Sequence, residues 1–225
     1  MFLITPLILQ ITELTLYTNN LSEIKNFYGC ILSLKIISES EKEIIFKTGE
    51  TRLIFLEDKN LENPVYHFAF NIPANKINEA LEWTKSRTEL LPVGDSLIAD
   101  FKNWNAKSIY FFDSVGNIVE FISRFDLDNA AEEKFNSSQI LNISEMGIIN
   151  PDVASFRKKL ADDYKIYDFV KSENDNTFSA MGDDNGLFIV VIPNRNWYPT
   201  KIPSKIFPFK VKFRNNENKS FEISN

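Results

Sequence analysis

The sequence contains few cysteine, histidine and glycine residues. Its 225 residues include one cysteine, one histidine and seven glycines. A single cysteine, Cys30, excludes an internal disulfide and is typical of a reducing compartment. We therefore predict a cytoplasmic protein. The single histidine, His67, excludes any site within one chain that needs two imidazoles.

Long apolar runs and an excess of basic charge are missing as well. No run approaches the roughly 18 apolar residues that a membrane-spanning helix needs. Residues 1–9 are apolar, but they are interrupted by Pro6 and have neither a cationic start nor a small-residue cleavage site, so we expect no secretory signal. The net charge is −6, which argues against nucleic acid as a partner.

What is present describes an ordinary globular chain. Hydrophobic residues make up 44% of the sequence and charged residues 25%. At this length, that composition supports one large core or two smaller ones.

The strongest organisational signal is an internal repeat. Residues 9–58 read as strand, helix, strand, strand, strand, and residues 65–124 repeat that order at an offset that places Glu13 on His67. A third copy begins near residue 143, with Glu145 where Glu13 stood and Val190 where Glu120 would be, and a fourth begins near residue 209 and stays incomplete. We predict an α+β fold with three full units and a partial fourth. The expected organisation is a two-unit domain at 1–125, a linker at 126–139 and the third unit with the truncated fourth at 140–225.

His67 lies on the less apolar face of its predicted strand. Side chains alternate along a strand, so His67, Ala69 and Asn71 share one face, while the phenylalanines between them share the other. Small neighbours leave room beside the imidazole. Glu13 and Glu120 lie on strand-like runs about equally far to either side along the chain, and the repeat favours a fold in which all three meet.

Two sequence patterns resemble the vicinal oxygen chelate superfamily, which includes glyoxalase I, extradiol dioxygenases, methylmalonyl-CoA epimerase and the fosfomycin- and bleomycin-resistance proteins. One is a strand, Asn19-Asn20-Leu21, a helix with Phe27-Tyr28, and Leu32-Ser33-Leu34. The other spans 110–120, with Asp113, Gly116, Asn117 and Glu120 in the order Asp-x-x-Gly-Asn-x-x-Glu. The resemblance covers about residues 9–124. It implies paired βαβββ modules whose sheets curl into a cup that holds a divalent metal.

Carried over position by position, the resemblance places three metal ligands at Glu13, His67 and Glu120. It departs from the family at Glu13, where histidine or glutamine is more usual. Independently, two partly buried carboxylates repel each other and lose hydration, which a divalent cation offsets. Imidazole and carboxylate oxygen suit Mn, Fe, Ni or Zn. In this role Glu13 and Glu120 are also the candidate catalytic groups, because a displaced carboxylate could move a proton.

Each of these residues also has a purely structural interpretation. A lone histidine on a strand is more often a core or rim residue than a ligand. The two glutamates could be solvated, or could pair with Arg52 or Arg124. Trp104 and Tyr110 are candidates for lining the cup, although aromatic side chains there more often belong to a core. Arg124 could orient an anionic substrate or only neutralise Glu120.

The favoured function is a metal-dependent, glyoxalase- or dioxygenase-like protein acting on a small oxygenated metabolite by isomerase or lyase chemistry. Ring cleavage ranks lower, because an oxygenase iron site prefers two histidines and one carboxylate. The alternative is a non-catalytic small-molecule binder of the bleomycin-resistance type. The third unit is expected to bind no metal, and the truncated fourth suggests a homodimer, since unfinished sheets leave edges to cover. Residues 194–199 are a loop, a lid or a dimer contact.

Overall fold

The computed structural model describes residues 9–225, so the expectation for residues 1–9 concerns a segment that, apart from Leu9, lies outside the described residues. The first repeat unit contains four strands and a short helix that continues as a π-helix. These elements are β1 (Gln10–Thr18), α1 (Leu21–Ile24, then Lys25–Ile31), β2 (Lys35–Glu39), β3 (Glu43–Thr48) and β4 (Thr51–Glu57).

The second unit repeats this order, as predicted. Its elements are β5 (His67–Ile72), α2 (Ile77–Lys85), β6 (Ala99–Phe101), β7 (Ala106–Phe112) and β8 (Ile118–Arg124). The strand expected over 90–93 is wrong, because only isolated bridges form there and the strand lies at β6. The position of β6 is set by its antiparallel pairing with β7.

The remaining units are shorter. The third contains β9 (Asn142–Ile149), α3 (Val153–Tyr164), β10 (Phe178–Asp183) and β11 (Gly186–Val191). The strand expected over 167–170 is reduced to one isolated bridge at Asp168. The fourth unit contains β12 (Phe209–Arg214) and β13 (Ser220–Ser224). None of the helices in residues 9–225 has the length and apolar character needed to cross a bilayer.

The strands form two mixed sheets, and each sheet joins two units. One has the order β13-β12-β1-β4-β3-β2, and the other has the order β10-β11-β9-β5-β8-β7-β6. The first unit therefore shares a sheet with the fourth, and the second shares a sheet with the third. The prediction that the first and second units, within residues 1–125, form one cup together is therefore wrong.

The reason lies in the free edges of the first strands. Within each complete unit the first strand pairs in parallel with the last, as β1 does with β4 and β5 with β8. Its other edge stays open to any partner strand. In the structure β12 takes the edge of β1 and β9 takes the edge of β5, both antiparallel. Periodicity predicts that such an edge exists but does not identify which unit fills it.

One hydrophobic core joins the two sheets. The first helix contributes Phe27, whose ring stacks on Phe111 of the second sheet, and Tyr28, whose ring packs on Phe46 and Phe55 of the first. The helix begins at a capped end, where the side chain of Asn20 accepts a hydrogen bond from the Glu23 amide. The first helix thereby binds the two sheets together.

A buried polar contact strengthens the same junction. Asp113, in the turn between β7 and β8, accepts a 2.7 Å hydrogen bond from the Tyr28 hydroxyl. It also accepts hydrogen bonds from the amides of Val115 and Asn117 and from the Asn117 side chain. Burial nevertheless raises the pKa of Asp113, and these hydrogen bonds oppose the rise. The Asp-x-x-Gly-Asn segment is thus a turn that also anchors the first helix.

We expect Tyr28→Phe to lower the free energy of unfolding by about 1.5–3 kcal/mol, the usual effect of losing a hydrogen bond to a buried charged group. Urea denaturation measures this change. Tyr167→Phe is the matched control, since Tyr167 is 46% exposed and should shift stability little. Equal effects of the two substitutions would show that the Tyr28–Asp113 contact does not stabilise the junction.

Candidate functional site

Strand register brings two glutamates together in the second sheet. Ala69 of β5 lies beside Glu120 of β8 and, on its other side, beside Glu145 of β9. Neighbouring strands lie about 4.8 Å apart, so only the small Ala69 side chain separates the two carboxylates. His67 precedes Ala69 by two positions and shares its face. The imidazole and both carboxylates are therefore displayed on one patch of the sheet.

The three side chains converge within metal-binding range. His67, Glu120 and Glu145 are all buried, and one ligand atom from each lies within 4.8 Å of the others. The Nε2 atom of His67 is 3.6 Å from Oε2 of Glu120, slightly long for a hydrogen bond. The Nδ1 atom lies 3.1 Å from the carbonyl oxygen of Ile118. A proton on Nδ1 satisfies that carbonyl and leaves Nε2 with a free lone pair towards the carboxylates.

Burial shifts both titrating partners towards their neutral forms. Desolvation lowers the pKa of His67 to about 4, with the Ile118 carbonyl opposing the shift. Desolvation also raises the pKa of Glu120 to about 8, and the neighbouring charge of Glu145 raises it further. Burial raises the pKa of Glu145, whereas Arg124 opposes that shift. The imidazole is thus a neutral base, and a proton bound near neutrality resides at Glu120.

Arg124 compensates one carboxylate of the pair. Its guanidinium is fully buried, donates to Glu145 through Nη2, and donates from Nε to Oδ1 of Asn71 at 3.2 Å. Its Nη1 atom lies 3.5 Å from Asp184, which is itself paired at 2.6 Å with Lys171. Arg124 therefore fixes Glu145 and does not line the cavity. The charge of Arg124 also opposes the rise in the pKa of Glu120, as expected for partial neutralisation, whereas its role in orienting a substrate stays a prediction.

A cavity of about 150 Å³ opens over the three side chains. Its walls are mainly aromatic, and they include both predicted lining residues, Trp104 and Tyr110. Burial, followed by the charges of Glu120 and Glu145, raises the pKa of Tyr110, so its hydroxyl keeps its proton. The remaining lining residues are Phe101, Phe178, Ile189, Val191, Arg195, Asn196, Trp197 and Tyr198.

The loop after β11 forms the cover of this cavity. The Trp197 ring lies 5.3 Å from the His67 ring, and the Tyr198 ring lies 5.6 Å from that of Tyr110. Gly147 of β9 makes the approach possible, because a Cβ there would lie 2.6 Å from the Trp197 indole. Of the three interpretations of residues 194–199, the position over the cavity favours a lid.

The predicted ligand set is only partly brought together. Glu13 lies in the other sheet, where it pairs with Arg52 at 2.7 Å and Lys212 at 2.8 Å. Its expected place beside His67 and Glu120 is taken by Glu145, because the third unit and not the first supplies the strand next to β5. The repeat contained this signal, since Glu145 occupies in its unit the position of Glu13. The third unit, which was expected to bind no metal, thus supplies one of the three clustered side chains.

Comparison with known proteins bears on the fold. The sequence matches no protein-family profile and no curated protein. Its structure is similar to that of a Bacillus subtilis protein provisionally assigned as a dioxygenase, with a TM-score of 0.61, 13% identity, and coverage of 96% of this chain and 84% of that one. It is also similar to a single-residue variant of glyoxalase I from Zea mays, with a TM-score of 0.59, 11% identity, and coverage of 97% and 93%.

The chain has the vicinal oxygen chelate fold. Within this fold, the second and third units build the cup that contains the clustered side chains. In the cup of the first and fourth units, Glu13 holds the position that corresponds to Glu145, and it forms ion pairs near the surface.

The residues of the cup suit the divalent metal that the fold implies. A neutral imidazole with an available nitrogen and two carboxylates form a donor set typical of such ions. Arg124 balances Glu145, but within residues 9–225 no lysine or arginine lies within 4.0 Å of Glu120. A bound cation would supply the missing positive charge, which fits the raised pKa of Glu120 in the metal-free protein.

We expect the metal-free protein to lose stability as the pH rises from about 6.5 to 8. The pKa of Glu120 is about 8 when folded and near 4.5 when unfolded, so its contribution is full below pH 4.5 and falls as the pH approaches 8. The lowered pKa of His67 acts in the opposite direction, but only below its ordinary 6.5. Urea denaturation in EDTA should show a loss of about 1–2 kcal/mol across this interval.

Glu120→Gln should remove most of that pH dependence, whereas Glu39→Gln, a change in an exposed ion pair, should retain it. A wild-type stability that stays level or rises across the interval would contradict the assignment of the buried proton to Glu120.

Proposed function

We propose that this protein is a divalent-metal-dependent enzyme that acts on a small oxygenated metabolite by isomerase or lyase chemistry. The observation that supports it is the convergence of His67, Glu120 and Glu145 at the base of an aromatic cavity. These three residues would hold the metal. Three protein ligands leave coordination positions open, as a catalytic site needs.

The metal, when bound, supplies a Lewis acid that stabilises negative charge developing on a substrate oxygen. Glu120 is the candidate proton carrier, because its carboxylate faces the cavity and could move a proton when displaced from the metal. Glu145 is held in place by Arg124 and serves as the fixed ligand. Tyr110 offers a protonated hydroxyl, and Trp197 excludes water from above.

The donor set also favours this chemistry over oxidative ring cleavage. Non-haem iron oxygenases combine two histidines with one carboxylate, whereas this cluster has one histidine and two carboxylates. The cavity of about 150 Å³ is small, which favours a compact substrate.

A second candidate function is non-catalytic binding of a small aromatic molecule. It is favoured by the raised pKa of Glu120, which lets a protonated Glu120 act as a hydrogen-bond donor and reduces the need for a cation. The aromatic walls would then hold a flat ligand by stacking.

Metal analysis separates these two functions. We expect purified protein to bind about one Mn²⁺, Fe²⁺, Ni²⁺ or Zn²⁺ per chain, and His67→Ala or Glu145→Gln to weaken binding at least tenfold through loss of a ligand. Glu13→Gln is the matched control, because Glu13 holds the equivalent position in the first unit. It should bind metal as the wild type does. Elemental analysis and isothermal titration provide the measurements.

Absence of stoichiometric metal in the wild type would favour the binder. Equal losses in Glu13→Gln and Glu145→Gln would contradict the assignment of the ligand set to the second and third units.

Homodimer formation and a cytoplasmic location stay predictions. The two sheets end at β13, β2, β10 and β6, which are edges that a second copy could cover. We expect light scattering to give twice the mass of the 26.0 kDa chain. A mass of one chain across micromolar concentrations would rule out a stable dimer.

A further inference from the structure

A guanidinium without an ion-pair partner lies at the cavity. Arg195 follows β11 in the lid loop and lines the cavity, and in residues 9–225 it forms no ion pair within 4.0 Å. Its guanidinium lies over the Phe178 ring at 5.1 Å. This contact holds the side chain beside the opening, because stacking on a ring face favours a planar cation.

The carboxylate whose pKa the charge of Arg195 affects, that of Asp175, is already hydrogen-bonded to other residues. Asp175 accepts hydrogen bonds from the amide and hydroxyl of Thr177 and from the amide of Phe178. Hydrogen bonds from Thr177 are the main reason that the pKa of Asp175 is lowered, and the charge of Arg195 makes the smallest contribution. Arg195 therefore keeps its donors available for a ligand.

Backbone contacts make the lid a fixed support for Arg195. The carbonyl oxygen of Arg195 accepts from the Ser204 amide at 2.8 Å, and the Ser204 carbonyl accepts from the Asn194 amide at 2.9 Å. The Trp197 amide donates to the Ile202 carbonyl at 2.9 Å. The guanidinium and the Trp197 ring are thus presented together by one hydrogen-bonded turn, which lowers the entropy cost of ligand binding.

The cavity consequently has two chemically distinct ends joined by flat walls. Glu120 and Glu145 lie at the inner end, and Arg195 is a cation on the lid. Trp104 and Trp197 are among the aromatic residues that form the walls of the cavity. A planar molecule with oxygen atoms at one end and a carboxylate at the other matches this arrangement, since a guanidinium fork pairs with a carboxylate through two hydrogen bonds.

We propose that Arg195 determines specificity, selecting small planar substrates that carry a carboxylate. The assignment of the inner end rests on the proposed function, because oxygen atoms there would face the metal ligands. The role of Arg195 itself rests on the lid and on the guanidinium over Phe178. A carboxylate bound there also directs the rest of the molecule inwards, between the aromatic walls.

The test compares salicylate with its neutral analogue salicylamide as probes. Binding is measured by quenching of tryptophan fluorescence and by calorimetry, with EDTA and again with Mn²⁺. We expect the wild type to bind salicylate about tenfold more tightly than salicylamide, the usual scale for one charge-assisted contact. Arg195→Met should remove that preference and leave salicylamide binding unchanged, and Arg195→Lys should retain part of it.

Arg87→Met is the matched control. Arg87 also stacks on an aromatic ring, that of Trp83 at 4.2 Å, but it does not line this cavity. This variant should keep the wild-type preference for salicylate. Salicylate preference that persists in Arg195→Met, or a wild type that binds neither probe at millimolar concentration, would overturn the proposal.

The two metal conditions keep this inference separate from the proposed function. If the wild type binds no Mn²⁺ yet loses its salicylate preference in Arg195→Met, the metal-dependent function fails and the role of Arg195 stands. If Mn²⁺ binds at the His67 cluster while Arg195→Met leaves the preference intact, the function stands and the role of Arg195 fails.

Discussion

Two carboxylates buried on either side of Ala69 impose the main electrostatic constraint on this protein. Desolvation and mutual repulsion both disfavour their charged forms. Arg124 compensates the charge of Glu145 by pairing with it. Asp184 lies close to Arg124 and is itself paired with Lys171. Glu120 is left to be compensated by a proton or by a cation. The chemistry proposed for the cavity depends on that remaining choice.

The same constraint explains why the two cups of the molecule differ. In the cup of the first and fourth units, Glu13 pairs with Arg52 and Lys212 near the surface, and solvent can moderate the interaction. In the other cup, the lid and the aromatic walls exclude water, so each charge near Glu120 acts more strongly. Repeated units with similar backbones thus acquire different electrostatic environments through their burial and their ion-pair partners.

Much of the fold could be predicted from the sequence, because its signals are local. Alternation along β5 identified the face of His67, and the Asp-x-x-Gly-Asn turn located Glu120 on β8. The choice of partner for β5 could not be predicted in this way. Both Glu13 and Glu145 carry the same pattern, and which of them meets His67 depends on the pairing of strands far apart in the chain. The lid over His67 depends likewise on Gly147, whose missing side chain has meaning only once Trp197 is seen above it.

The nested pairing of the units has a consequence for the order in which the molecule can assemble. Thr12 in β1 meets Lys212 in β12, which lies 200 positions further along the chain. Strands β5 and β9 are much closer in sequence, and closing a shorter loop costs less entropy. During synthesis the sheet of the second and third units, which carries the candidate site, can therefore form while β12 is still within the ribosome. Until β12 emerges, one edge of β1 stays open to wrong pairing, and a chaperone that covered it would protect the nascent protein.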